Sequence, residues 1–234
     1  MRMFTVALIG GDGAGKTTVA QHLVKSLPWP VKYLYMGLST LSSNNALPTS
    51  LLARFLKLRA YQKSIQKSGK PPSSHDLHYG AIERGPLWVT ARFLNRLAEA
   101  WWRHFLSLSY QARGYVVVYD RHFLFETAPD VHLEAKKQKL FDRLEYKFLN
   151  NYYPKPDLVI FLDAPPAVLY GRKGEATLQH LEKLREAILE QGKHIPNFVN
   201  VDVSQPLDHV LAEVTQHMLD FYTSRSLKKN QNIR

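Results

Sequence analysis

The chain has 234 residues, 45% hydrophobic and 22% charged, which supplies one sizeable core and is short for two independent ones. It contains no cysteine, which excludes disulfides and thiolate metal sites and fits a reducing cytoplasm. The formal net charge is +11, and no acidic residue lies between Asp12 and Asp76, where Lys16, Lys25, Lys32, Arg54, Lys57, Arg59, Lys63, Lys67 and Lys70 all fall.

In chain order, residues 1–10 carry one Arg and a short apolar run, but Gly-Asp-Gly stands where a leader's cleavage region belongs. Phe4 to Ile9 is therefore expected as a buried strand. Lys16 to Ser26 reads as a helix that Pro28 and Pro30 bring to an end, and Val31 to Met36 as a second strand. Leu51 to Lys67 reads as a basic helix, with Leu52, Phe55, Leu56 and Leu58 able to cover a core. Residues 68–80 are a Pro/Ser-rich loop, and Ala81 to Arg113 a long helical stretch closed by Gly114. Tyr115 to Tyr119, Asp157 to Leu162 and Phe198 to Val203 are further strands, short and rich in β-branched or aromatic residues. Glu134 to Leu149 and Thr177 to Gln191 are amphipathic, and Leu207 to Tyr222 is the last helix. Residues 226–234, SLKKNQNIR, read as a frayed basic tail after a single domain over 1–225. Short apolar runs alternating with amphipathic ones predict a parallel sheet wrapped by helices, and no run is long enough for a transmembrane segment.

Between the first strand and first helix lies Gly10-Gly11-Asp12-Gly13-Ala14-Gly15-Lys16-Thr17-Thr18, which fits G-x-x-x-x-G-K-[ST] in the strand, loop, helix setting the motif requires. The glycines let backbone N–H groups turn inward around an anion, and the helix N-terminus adds its dipole. Lys16 neutralises the outer phosphates, and the Thr17 hydroxyl suits Mg²⁺. A small GTPase would need Asp-x-x-Gly and Asn-Lys-x-Asp in later positions, and a motor ATPase a strand ending in Asp-Glu. The third strand ends instead in Asp120-Arg121-His122, which leaves a kinase.

These residues resemble the thymidylate kinases and their relatives among P-loop nucleoside and nucleotide kinases. The likeness is carried by GGDGAGKTT, GYVVVYDRH, DLVIFLDAPPAVLYGRKGE and FVNVDVSQPLDHVLAEV. The resemblance implies a three-layer α/β/α P-loop kinase fold with a five-stranded parallel sheet, an acceptor-binding segment at about 38–95 and a lid at about 170–178. It implies ATP as donor with Mg²⁺, held by Lys16, Thr17 and Asp120 and by the loop from Gly10 to Thr18. Arg121 would clamp the acceptor phosphate, for which a planar guanidinium is suited, and Asp12 would reach an acceptor hydroxyl. Because residue 13 is Gly, the transition-state cation would come from the lid as Arg172, with Lys173 beside it, and contribute on the order of 10³ to 10⁵ in rate. Arg96 would bind the acceptor from the helix before Asp-Arg-His, with Arg92 one turn earlier as rival. The other reading of both arginines is a solvated helix face shared with Glu99.

The chain departs from the family where the acceptor is read: Met36-Gly-Leu-Ser replaces Arg-Glu-Pro-Gly, and Phe123-Leu-Phe-Glu replaces the residues that follow Asp-Arg-Tyr. The expected activity is therefore an ATP-dependent phosphotransferase acting on a nucleoside monophosphate, thymidine monophosphate first. The alternatives are a phosphorylated sugar, glycan or lipid precursor as acceptor, or a non-catalytic ATP-binding protein. A small anionic phosphorylated acceptor is the expected partner, with a homodimer also open, while no nucleic-acid fold signature accompanies the basic stretch. His75, His78, His104 and His122 show no zinc spacing and read as surface or loop histidines. Trp88, Trp101 and Trp102 read as core, or one of them as a stacking face for the acceptor. The Asp163-Ala-Pro-Pro turn reads as the hinge of a flexible lid whose Gly171 and Gly174 bracket Arg172 and Lys173.

Overall fold

The apolar runs form strands Thr5–Ile9 (β1), Val31–Tyr35 (β2), Val116–Asp120 (β3), Leu158–Asp163 (β4) and Phe198–Asp202 (β5). Each lies within one residue of its expected bounds at either end. A computed structural model describes residues 3–37, 47–52, 55, 59, 86–122, 125, 140–174 and 176–231. Most of the expected helix over 51–67, the loop 68–80, the residues 81–85 that were to open the long helix, residues 134–139, His75 and His78, and the side chains of Trp88 and Arg92 lie outside the described residues. Among these residues the strands build one five-stranded sheet in the order β2-β3-β1-β4-β5, with every neighbouring pair parallel.

Helices Lys16–Ser26 (α1), Pro86–Ala112 (α2), Leu140–Tyr152 (α3), Pro166–Lys173 (α4), Leu178–Gly192 (α5) and Leu207–Gln231 (α6) connect and cover the strands. All five residues of β1 are buried, as a central strand covered on both faces requires. Val6 and Leu8 pack with Val19 and Leu23 of α1 and Val214 and Met218 of α6. Ala7 and Ile9, pointing the other way, pack with Ala100 of α2, Leu149 of α3 and Ile188 of α5. Two apolar layers, one on each face, make the fold the expected three-layer α/β/α sandwich. Each fully buried Leu or Val adds about 1.5–3 kcal/mol of burial free energy.

Several expectations are corrected. α6 runs to Gln231, past Tyr222, so much of the tail is helical: Ser226 to Gln231 contains no Gly or Pro to stop it, and Arg225 ties the helix to Asp157 at 2.8 Å. Trp102 of α2 is exposed, as are Leu52 and Phe55, so none of the three belongs to the core. His104 and His122 are buried among aromatic rings rather than on the surface. Arg172 and Lys173 form the last turn of α4, which Gly174 caps in the left-handed conformation, so they stand on a helix and not on a loose segment. Among the described residues no helix is long and apolar enough to cross a membrane.

Candidate active site

Strand register assembles the site. Leu8 of β1 aligns with Asp120 of β3, so the loop after Ile9 begins beside the end of β3. The Arg121 N–H donates to the Leu8 carbonyl at 3.1 Å and fixes the crossing. Ligand sites in open α/β sheets lie at these carboxyl ends of the strands. Across the gap, the Thr17 hydroxyl donates to Asp120 Oδ2 at 2.8 Å, and the Tyr33 hydroxyl of β2 donates to the same oxygen at 2.8 Å. Burial first, and then the hydrogen bond to Asp120, push the Tyr33 phenol well above its ordinary range, so it stays a neutral donor.

The loop is closed on itself. Lys16 is 5% exposed and its ammonium donates to the carbonyls of Gly10 at 2.8 Å and Gly11 at 2.7 Å. Gly13 has φ +89°, and a Cβ there would lie 2.9 Å from the Leu169 carbonyl oxygen, so only glycine fits between the loop and α4. Among the described residues no side chain caps the first turn of α1, which leaves its amides to an anion.

Asp12 and Arg121, both about one third exposed, form an ion pair at 2.5 Å, and Lys173 Nζ lies 4.0 Å from the same carboxylate. Burial pushes the Asp12 carboxyl up, but the Arg121 hydrogen bond and the charges of Arg121, Lys16 and Lys173 outweigh it and hold the group below its usual range. A pair this exposed contributes about 0–1 kcal/mol, so a phosphorylated ligand can replace Asp12 as Arg121's partner at little cost. Arg121 itself sits at φ +67°, a conformation that side-chain-bearing residues rarely adopt and that clusters at functional sites.

The residues present fit a hard divalent cation. Asp120 is 3% exposed, one of its carboxylate oxygens is shared by Thr17 and Tyr33, and the other, Oδ1, is buried with no hydrogen-bond partner among the described residues. One carboxylate oxygen beside one hydroxyl suits Mg²⁺, which keeps several waters and takes its remaining oxygens from substrate phosphates.

Of the remaining expected residues, Arg172 turns to the end of β5, where its guanidinium donates to the Val203 carbonyl at 2.8 Å. Its Cβ still lies 3.4 Å from where a Gly13 Cβ would stand, so the helix turn borders the loop. Arg96 is half-buried on α2. Glu99 is not on a solvated face: it is 5% exposed and paired with Arg103 at 3.0 Å. Asp163 is bound in both oxygens by Arg185, at 2.7 and 2.8 Å. The sequence reading missed Tyr33, the Glu99–Arg103 pair and Arg185. Tyr33 carries no motif; the Glu-x-x-x-Arg spacing within an apolar helix was the available signal for the second.

No protein-family model matches the chain. It is similar to a protein named probable thymidylate kinase from Archaeoglobus fulgidus, 27% identical over 97% of this chain and 99% of that protein. Probable thymidylate kinase 1 from Saccharolobus solfataricus is 26% identical over 89% of this chain and 93% of that protein. A probable thymidylate kinase from Staphylothermus marinus is 28% identical over 93% and 95%. Among solved structures, a deoxyadenosine kinase from M. mycoides with bound dCTP matches 92% of this chain and 99% of that one, with a TM-score of 0.50 and 15% identity, and so shares the fold. The chain thus places a phosphate-loop sequence at the carboxyl end of β1 and is similar, over nearly their whole length, to proteins named probable thymidylate kinase.

Proposed function

We propose that the protein transfers the γ-phosphoryl group of ATP to a nucleoside monophosphate, with thymidine monophosphate as first candidate. The observation that carries this reading is the join between the loop and the end of β3, made twice: Thr17 on Asp120, and Arg121 on Asp12. In the reaction an acceptor phosphate oxygen bonds to the γ-phosphorus as the bond from that phosphorus to the bridging oxygen of the departing ADP breaks. The attacking oxygen is already anionic, so no general base is needed, and catalysis reduces to positioning and charge neutralisation. Loop amides and Lys16 hold the donor phosphates, Lys16 exchanging the Gly10 and Gly11 carbonyls for phosphate oxygens. Thr17 and Asp120 hold Mg²⁺, which when bound neutralises charge on the outer phosphates. Arg121 grips the acceptor phosphate bidentately, Asp12 orients an acceptor hydroxyl, and Arg96 reaches the acceptor from α2.

The last turn of α4 and residues 174–178 are the lid, from which Arg172 and Lys173 meet the transferring group. ADP release from purified protein with ATP, Mg²⁺ and a panel of nucleoside monophosphates and phosphorylated sugars tests the reaction. Turnover with thymidine monophosphate above the other acceptors is the expected result. Turnover only with phosphorylated sugars would reassign the acceptor, and none with any acceptor would leave a binding protein.

A further inference from the structure

Three residues spaced by four, Asn95, Glu99 and Arg103, form one stripe along α2. Arg103 donates from Nε and Nη2 to Glu99 Oε1 at 3.2 and 3.0 Å, and from Nη1 to the Gly37 carbonyl at 2.8 Å. Glu99 Oε2 accepts from the Leu47 N–H at 2.9 Å and the Ser50 hydroxyl at 2.8 Å. Asn95 Nδ2 donates to Ser50 Oγ at 3.0 Å, and its Oδ1 accepts from the Thr49 hydroxyl at 2.7 Å. The stripe therefore grips the chain twice, at residue 37 just after β2 and again at residues 47–50.

The first grip leads to the active site. Gly37 packs so tightly that a Cβ there would lie 2.9 Å from Arg121 Cδ and 2.5 Å from the Tyr35 hydroxyl. Arg103 thus fixes the backbone against which the aliphatic part of Arg121 rests. Glu99 is 5% exposed and Arg103 4%, and a buried pair of this kind gains little stability over apolar side chains of the same size. What apolar side chains cannot do is satisfy the Gly37 carbonyl and the Leu47 N–H at once. An arginine is needed because its fork donates in two directions, where a lysine offers a point charge.

We infer that Glu99 and Arg103 are positioning residues of the acceptor half: they hold the chain after β2 so that Arg121 presents its guanidinium to the acceptor phosphate. The inference rests on the kinase reading above. Arg103→Lys and the apolar pair Glu99→Leu with Arg103→Met, in the full chain, test it. In both, KM for thymidine monophosphate rises about tenfold or more, the scale of one lost charge-assisted hydrogen bond, while KM for ATP stays within about twofold. In the Glu99→Leu, Arg103→Met pair, which loses Glu99 Oε2, amide hydrogen exchange at Leu47 to Ser50 accelerates, while that of β1 and β4 does not. The inference is overturned if the two KM values rise in parallel, if both stay unchanged while the melting temperature falls, or if exchange at Leu47 to Ser50 is unaltered in that pair. A wild-type protein that turns over no nucleoside monophosphate would overturn the proposed reaction separately. The exchange measurement then decides the clamp alone, unaltered rates rejecting it and faster ones upholding it.

Discussion

His122 supplies a sharp prediction about acid stability. It is fully buried, with ring centroids 5.7 Å from Tyr119, 6.2 Å from Phe125 and 5.9 Å from Tyr153. Burial first, and the neighbouring His104 second, lower its pKa from 6.5 to about 3. The sign follows from proton binding: below pH 6.5 the unfolded chain takes up a proton that the folded chain refuses until about pH 3. Stability is therefore flat in this group above pH 6.5 and falls as the solution is acidified, by about 1.4 kcal/mol per pH unit. Between pH 7.5 and 4.5 the loss sums to about 2.7 kcal/mol. Asp12, a site carboxyl held low, loses its stabilisation only at still lower pH and does not confuse this window. His122→Leu removes the titrating ring and keeps the site apolar. Urea unfolding of both proteins at pH 7.5 and 4.5 measures the difference: the wild type should lose about 2.7 kcal/mol more than the variant across that interval. Equal losses in the two proteins would falsify the account of His122.

Three further outcomes follow from the site. Arg172→Ala should lower kcat by about 10³ with little change in KM for ATP, measured by coupled ADP release; an unchanged kcat would remove Arg172 from the transferring group. Gly13→Ala forces a Cβ against the Leu169 carbonyl at φ +89° and should cost about 1–3 kcal/mol, read as a lower denaturation midpoint together with weaker ATP binding. Arg121→Lys keeps the charge but loses the fork, so KM for the acceptor should rise roughly tenfold at constant KM for ATP. Equal shifts in both KM values would place Arg121 outside the acceptor site.

β1, β3 and β4 were legible because each is buried on both faces, and β2 and β5, partly exposed at the sheet edges, because they are short β-branched or aromatic runs. α1 was legible to the residue, since the loop glycines fix its start and Pro28 its end. The C-terminus of α6 was not: nothing in Ser224 to Gln231 signals a stop, so ending the helix at Tyr222 had no physical basis. The loop half of the site could be read because it is one contiguous motif. Tyr33 could not, because its partner Asp120 lies 87 residues away and only strand order brings the two together. The alternative reading of Arg92 and Arg96 put Glu99 on a solvated face, because single charges on helices usually are there, yet Glu99 pairs with Arg103 four residues on and both are buried. Arg172 and Lys173 read as loose because glycines flank them, whereas Gly171 fits within the helix and Gly174 ends it.

The left-handed backbone of Arg121 sets stability and activity in opposition at one position. A glycine there would relieve the conformational penalty, on the order of 1 kcal/mol, and remove the guanidinium in the same stroke. Variants of residue 121 ranked by melting temperature should place glycine and asparagine above arginine, and variants ranked by turnover should place arginine first. Any thermal selection applied to this chain without a functional check will drift toward that glycine. The inverted ranking is itself a signature, readable without a ligand, of a residue retained for chemistry.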